Sequence, residues 1–184
     1  GGVNGRKVEL VIRDDKAKPA DATVAARELA GSGMNMMLGV VSSAVALAIS
    51  AMLEQEKALL ITCAAHSEKL TKENFVRNYF RVTDNPYMRE RALAKMAAQR
   101  YASVDRWTGI IPDHEYGRTT WGCFEDGLRE FYPSVAKKQP IITQPVKTPY
   151  GAPDYRSGIT AAMAIPAEGF MVSVYGGDAV TLYK

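Results

Sequence analysis

The sequence is poor in the residues that staple, ligate or span. It holds two cysteines, Cys63 and Cys123, and two histidines, His66 and His114, in 184 residues. Two cysteines so placed define neither a disulfide scaffold nor a zinc site, and both are read as buried, reduced small hydrophobes. Paired His or Cys ligands for a metal are lacking. No apolar run reaches the ~18–20 residues of a membrane-spanning helix. The nearest approach, Val40 to Leu53, is rich in Ala and Ser and ends in charge. No Gly-x-Gly-x-x-Gly follows the first strands and no Walker-type Gly-Lys-Ser/Thr occurs, so nucleotide phosphates have no cradle and no cofactor is expected. A Gly-x-Ser-x-Gly nucleophile elbow is lacking too. The net charge of +3 is small and spread along the chain. No Lys/Arg cluster carries interleaved aromatics, which argues against a nucleic-acid partner.

What is present is ordinary globular material, 47% hydrophobic and 23% charged. The length suits one medium domain or two small ones. The stretch that organises the rest runs from Met34 to Thr71. MNMMLGV reads as a buried strand, Ser43 to about Glu56 as a helix, and ALLIT (58–62) as a second strand. Strand–helix–strand with short connections implies parallel strands. Both exit loops then share the carboxyl edge, where open α/β sheets bind ligands. This places Ser42, Ser43, Ala64, Ala65 and His66 near one another.

The remaining segments repeat the alternation. KVELVIR (7–13) reads as a strand closed by Asp14-Asp15. A helix capped by Asp21 runs to about Ala30 and stops at Gly31-Ser32-Gly33. NYFRV (78–82) is a short strand, and Thr83-Asp84-Asn85-Pro86 is a linker into a helix reaching Tyr101. Strands at 106–112, 140–146 and 169–174 then alternate with helices at about 118–131, 154–165 and from Asp178. The expected fold is α/β, with two parallel sheets in two Rossmann-like three-layer lobes. The break falls near Thr83, giving residues 1–83 to the first lobe and 84–184 to the second.

The candidate site residues each admit two readings. Ser42 and Ser43 cap a helix, or they hold a ligand carboxylate with free backbone amides and the helix dipole. His66 is a polar loop residue or a ligand contact. Tyr116 before Gly117 and Tyr175 before Gly176-Gly177 are rim aromatics, or walls that face the serines across a cleft. A Ser42/His66/Asp15 triad has no specific motif behind it. Trp107 and Trp121 read as core.

Taken in series, these residues carry a likeness. Gly2-Val3-Asn4-Gly5-Arg6-Lys7-Val8-Glu9-Leu10 with Asp14-Asp15, then Gly39-Val40-Val41-Ser42-Ser43-Ala44, Ala64-Ala65, Asp113 to Gly117 and Tyr175-Gly176-Gly177-Asp178 resemble the type I periplasmic binding proteins of the branched-chain amino acid family. The likeness implies a non-catalytic receptor for an amino acid or related small carboxylate, bound between two lobes that close around it. The implied partner is an ABC-transporter membrane permease, and the implied location periplasmic or lipid-anchored extracellular. By the family pattern Ser42 and Ser43 hold the carboxylate, Ala64 offers its carbonyl to an ammonium, and Tyr116 and Tyr175 come from the opposing lobe. His66 stands where a threonine is usual, which opens the ligand class to aromatic acids and amides. The likeness begins after the family's first strand and ends about midway. The expectation is therefore a chain truncated at both ends, whose gap in the first sheet either collapses or pairs with a second copy as a homo-oligomer. A ligand-sensing regulatory domain on the same fold, and a hydrolase using Ser43 and His66, are the competing readings.

Overall fold

The computed structural model describes residues 2–184. Its first lobe is a three-stranded parallel sheet in the order β1 (Met36–Gly39), β2 (Leu59–Thr62), β3 (Tyr79–Arg81). Met37 pairs with Leu60, and Leu60 with Tyr79. Helices α1 (Pro19–Gly31) and α2 (Ser43–Ser50) pack on each other. Their small and branched residues Ala22, Ala26, Val45, Ala46 and Ile49 meet Met37 and Leu60 in one buried cluster. The tie from β2 to β3 is polar as well as apolar, because the Thr62 and Tyr79 hydroxyls share a buried 2.7 Å hydrogen bond.

The stretch 7–13 corrects the sequence expectation. It belongs to no strand or sheet, and Val8, Leu10 and Ile12 are exposed. Alternation specifies faces, whereas a strand also needs a hydrogen-bonded neighbour at its edge. Here a groove of about 870 Å³ lies between Glu9–Arg13 and β1, so the gap stays open. Met36 and Leu38 on β1 are exposed.

The second lobe is built around β4 (Arg106–Pro112), every residue of which is buried except Arg106. β7 (Gly169–Val172) pairs with it along one edge. β5 (Ile141–Ile142) and β6 (Val146–Thr148) pair with it in succession along the other. A single strand was expected over 140–146. Pro145 offers no N–H, and the register slips by one residue between Trp107↔Ile142 and Ile110↔Val146. Helices α3 (Pro86–Arg100) and α4 (Glu115–Ala136) cover one core with Trp107, Trp121, Phe124 and Tyr132. They approach closely because Gly127 has no Cβ, where one would press on Ala94 and the Arg91 backbone. A smaller core gathers Ile110, Tyr155 and Leu182 under α5 (Arg156–Met163) and α6 (Gly176–Leu182).

Several element ends differ from expectation for local reasons. α1 starts at Pro19, whose fixed φ suits the first turn, so Asp21 lies inside that turn and is not the cap. α2 stops at Ser50, after which Met52 and Leu53 bond three residues back and the chain tightens into turns. α4 begins at Glu115, so Tyr116 stands in a helical first turn and not in a loop. Cys63 is exposed and Cys123 half-buried, both as free thiols. Burial pushes the Cys123 thiol up to about 11, which keeps it protonated. No helix among the described residues is long and apolar enough to cross a membrane.

Candidate functional site

Because β1 and β2 run parallel, their exit loops leave from one edge. The β1 exit turns sharply at Gly39 (φ 119°) and Val40 (φ 63°). A β-branched residue in the left-handed region is strained, a cost that surrounding structure must hold in place. Ser42 then caps α2, its hydroxyl accepting from the Val45 amide at a long 3.5 Å. The Ser43 hydroxyl is buried and accepts from the Ser67 amide at 3.1 Å, which locks the first exit loop to the second. Arg81 braces the second loop from β3, donating to the carbonyls of Ala65, His66 and Ser67 at 3.4, 3.3 and 3.0 Å. Ala65 is fully buried beneath it.

The second lobe supplies the opposing wall. At the end of β4 the chain turns tightly, with the His114 amide donating to the Pro112 carbonyl at 2.8 Å. Gly117 lies against that same carbonyl, and a Cβ there would collide with it. This close approach sets Tyr116 over the edge of the sheet. Tyr175 arrives from the end of β7, as the residue before α6. The Tyr116 and Tyr175 rings meet edge to face at 5.2 Å, and His114 and Tyr150 pack behind them. His66 of the first lobe lies 6.0 Å from Tyr116. Val41, Ala64, His66, Tyr116 and Tyr175 together enclose a pocket of about 190 Å³ that draws on both lobes. Of the seven residues singled out in the sequence, Ala64, His66, Tyr116 and Tyr175 line it. Ser42, Ser43 and Ala65 form its supporting frame.

Burial sets the titration of the wall. It raises the Tyr116 phenol and pushes Tyr175 up to about 12, with the neighbouring tyrosines adding to the effect. Both hydroxyls therefore stay protonated at neutral pH. Burial, assisted by Arg118, lowers His114, which favours its neutral ring.

The residues missed in the sequence are the ionic ones that bind the lobes together. Glu115 accepts from Ser67 at 3.1 Å, from Lys69 at 3.2 Å and from Thr119 at 3.1 Å. Glu68, nearly buried, accepts from the Tyr87 amide at the start of α3 at 3.2 Å. His66 turns its Nδ1 to Asp84 in the linker, and Arg89 pairs with the same carboxylate. The linker signal Thr83-Asp84-Asn85-Pro86 and the segment Asp113 to Gly117 contained Asp84 and Glu115, but neither showed their partners in the other lobe. The imagined triad does not assemble, since Asp15 accepts from the Ala17 amide while His66 bonds Asp84. No metal-binding cluster of His, Cys, Asp or Glu exists among the described residues.

Two parallel α/β lobes that meet at the carboxyl ends of their strands, over a pocket lined from both sides, define a cleft-type binding architecture. The chain belongs to the periplasmic binding protein family, whose sequence profile matches residues 1–184. A Leu/Ile/Val-binding protein homolog of Brucella melitensis is 26% identical over 179 residues, 96% of this chain and 45% of that protein. A periplasmic binding protein from Burkholderia mallei superposes with a TM-score of 0.84 at 22% identity, over 97% of this chain and 45% of that one. An ABC-transporter solute-binding protein from R. palustris, solved with 4-hydroxybenzoate, gives 0.82 at 18% identity over 96% and 46%. The chain thus spans less than half the length of these relatives.

Proposed function

We propose that this chain carries the ligand cleft of an extracytoplasmic solute receptor, which delivers an amino acid or related small carboxylate to an ABC-transporter permease. The observation that carries this is a pocket lined by Ala64 and His66 from one lobe and Tyr116 and Tyr175 from the other. The Leu/Ile/Val-binding relative and the 4-hydroxybenzoate complex support the ligand class. In this reading the lobes divide at residues 83 and 84. The Ser42 hydroxyl and the first amides of α2 receive the carboxylate, where the helix dipole favours negative charge. Ser43 and Ala65 hold the Ala64 and His66 loop in register, the Ala64 carbonyl faces an ammonium where the ligand has one, and the tyrosines form the far wall. Closure gains affinity as ligand charge meets preformed dipoles and water leaves. The protein works by binding without catalysis, in the periplasm or anchored outside the membrane. Self-pairing of this chain along the open edge of β1 is a separate consequence, read by a sedimentation profile that depends on concentration.

The test is a calorimetric and thermal-shift screen of amino acids and aromatic acids. A ligand from either class raises the melting temperature, and Ser43→Ala weakens its binding by about 1–3 kcal/mol. If members of both classes leave the melt unchanged at millimolar concentration, the receptor function is wrong.

A further inference from the structure

The polar groups of the aromatic pocket have a fixed sense. The Nδ1 of His66 lies 3.0 Å from the Asp84 carbonyl oxygen and 3.2 Å from Asp84 Oδ1. Both oxygens only accept, so the ring proton sits on Nδ1. In the neutral imidazole Nε2 is then a bare acceptor, and it has no hydrogen-bond partner among the described residues. The tautomer is held from behind. Asp84 is paired with Arg89 at 3.4 Å, and Arg89 with the buried Glu90 at 2.9 Å.

Across the pocket the Tyr116 oxygen accepts from Arg89 Nη2 at 3.2 Å. Its own proton is therefore available for a further acceptor. An acceptor and a donor stand on rings whose centroids are 6.0 Å apart. A hydroxyl, which donates and accepts at once, satisfies both. An ammonium matches only one of the two, because it can donate to Nε2 but has no lone pair to accept the Tyr116 proton. Asp84 is engaged by His66 and Arg89, and Glu115 by Ser67, Lys69 and Thr119. The small pocket, about 190 Å³ against the ~300–1,000 Å³ of drug-sized sites, matches a single ring packed against the edge-to-face tyrosine pair.

Building on the receptor function proposed above, we infer that His66 is a specificity-determining residue, its Nε2 accepting from a hydroxyl on a small ring-bearing carboxylate seated against Tyr116 and Tyr175. Once a bound ligand covers Nε2, an acceptor left unpaired there penalises the ligand that lacks the hydroxyl.

The experiment is ligand-observed NMR titration of the chain with 4-hydroxybenzoate, benzoate and leucine. The expected result is a preference of about tenfold or more for 4-hydroxybenzoate over benzoate. That ratio falls to near one in His66→Phe, with benzoate still bound, and is partly kept in His66→Gln, whose amide oxygen can still accept. Circular dichroism melts establish that each variant is folded, and His66→Gln carries the test if His66→Phe is not. Equal affinities in the unmodified chain, or a preference that survives in both variants, overturn the role of His66. Binding of leucine alone overturns it while leaving the receptor function standing. Binding of none of the three overturns the role of His66 and leaves the receptor function to the wider amino-acid and aromatic-acid screen.

Discussion

The stretch KVELVIR and the strand RWTGIIP have similar β-forming character, yet they meet opposite fates. The second, β4, is paired along both edges and buried from Trp107 to Pro112. The first lies unpaired beside an open groove with Val8, Leu10 and Ile12 exposed. A strand is therefore a property of its neighbours as much as of its residues, and the two lobes differ in how completely their edges are covered.

Large-to-small substitution sharpens that contrast most. Trp107→Ala removes a buried ring that packs on Phe124 and Tyr132. It should cost about 3–5 kcal/mol in urea unfolding, whereas Leu10→Ala should stay within about 0.5 kcal/mol. A comparable loss from both would break the comparison. Next in size is Glu115→Ala, which strips Ser67 and Lys69 of their partner in the other lobe. A cost of about 1–3 kcal/mol is expected, with the urea transition separating into two steps as the lobes uncouple. A single transition at unchanged midpoint would show that the lobes are joined by other means. Smaller again is Ser42→Ala, about 0.5–1 kcal/mol in melting experiments, because the capping bond is long.

The least effect comes from pH and is confined to the second lobe. His114 is lowered by burial, so the unfolded chain binds the extra proton more readily. Stability from this group is complete above the unfolded value near 6.5 and is lost as pH falls toward the lowered folded value. Melting curves of the native chain should decline over that acid window more steeply than those of His114→Phe. Parallel profiles would assign the decline to other groups.

The alternation of strand and helix was legible because apolar runs, prolines and glycines punctuate it. β4 and the start of α3 fall where Arg106, Pro112 and Pro86 place them. Ends set by tertiary contact were not legible. The early stop of α2 and the start of α4 at Glu115 depend on turns that no local pattern announces. At the candidate site, the strand exits near which Ala64, His66, Tyr116 and Tyr175 stand were readable, although Tyr116 proved to lie in the first turn of α4. Asp84, Arg89 and Glu115 were not, since a charged residue in sequence looks solvated until its partner in another element is known. His66 shows the difference best, because its partner Asp84 lies 18 positions away across β3.

Under the proposed function the ligand enters the cleft between the two carboxyl edges and not the larger groove beside β1. The most direct measurement is an NMR titration of the isotope-labelled chain with 4-hydroxybenzoate and with leucine. Shifts are expected to concentrate at Ala64, His66, Tyr116 and Tyr175, which report from both lobes. Shifts confined to Leu10, Ile12, Met36 and Leu38, or restricted to one lobe, would contradict it.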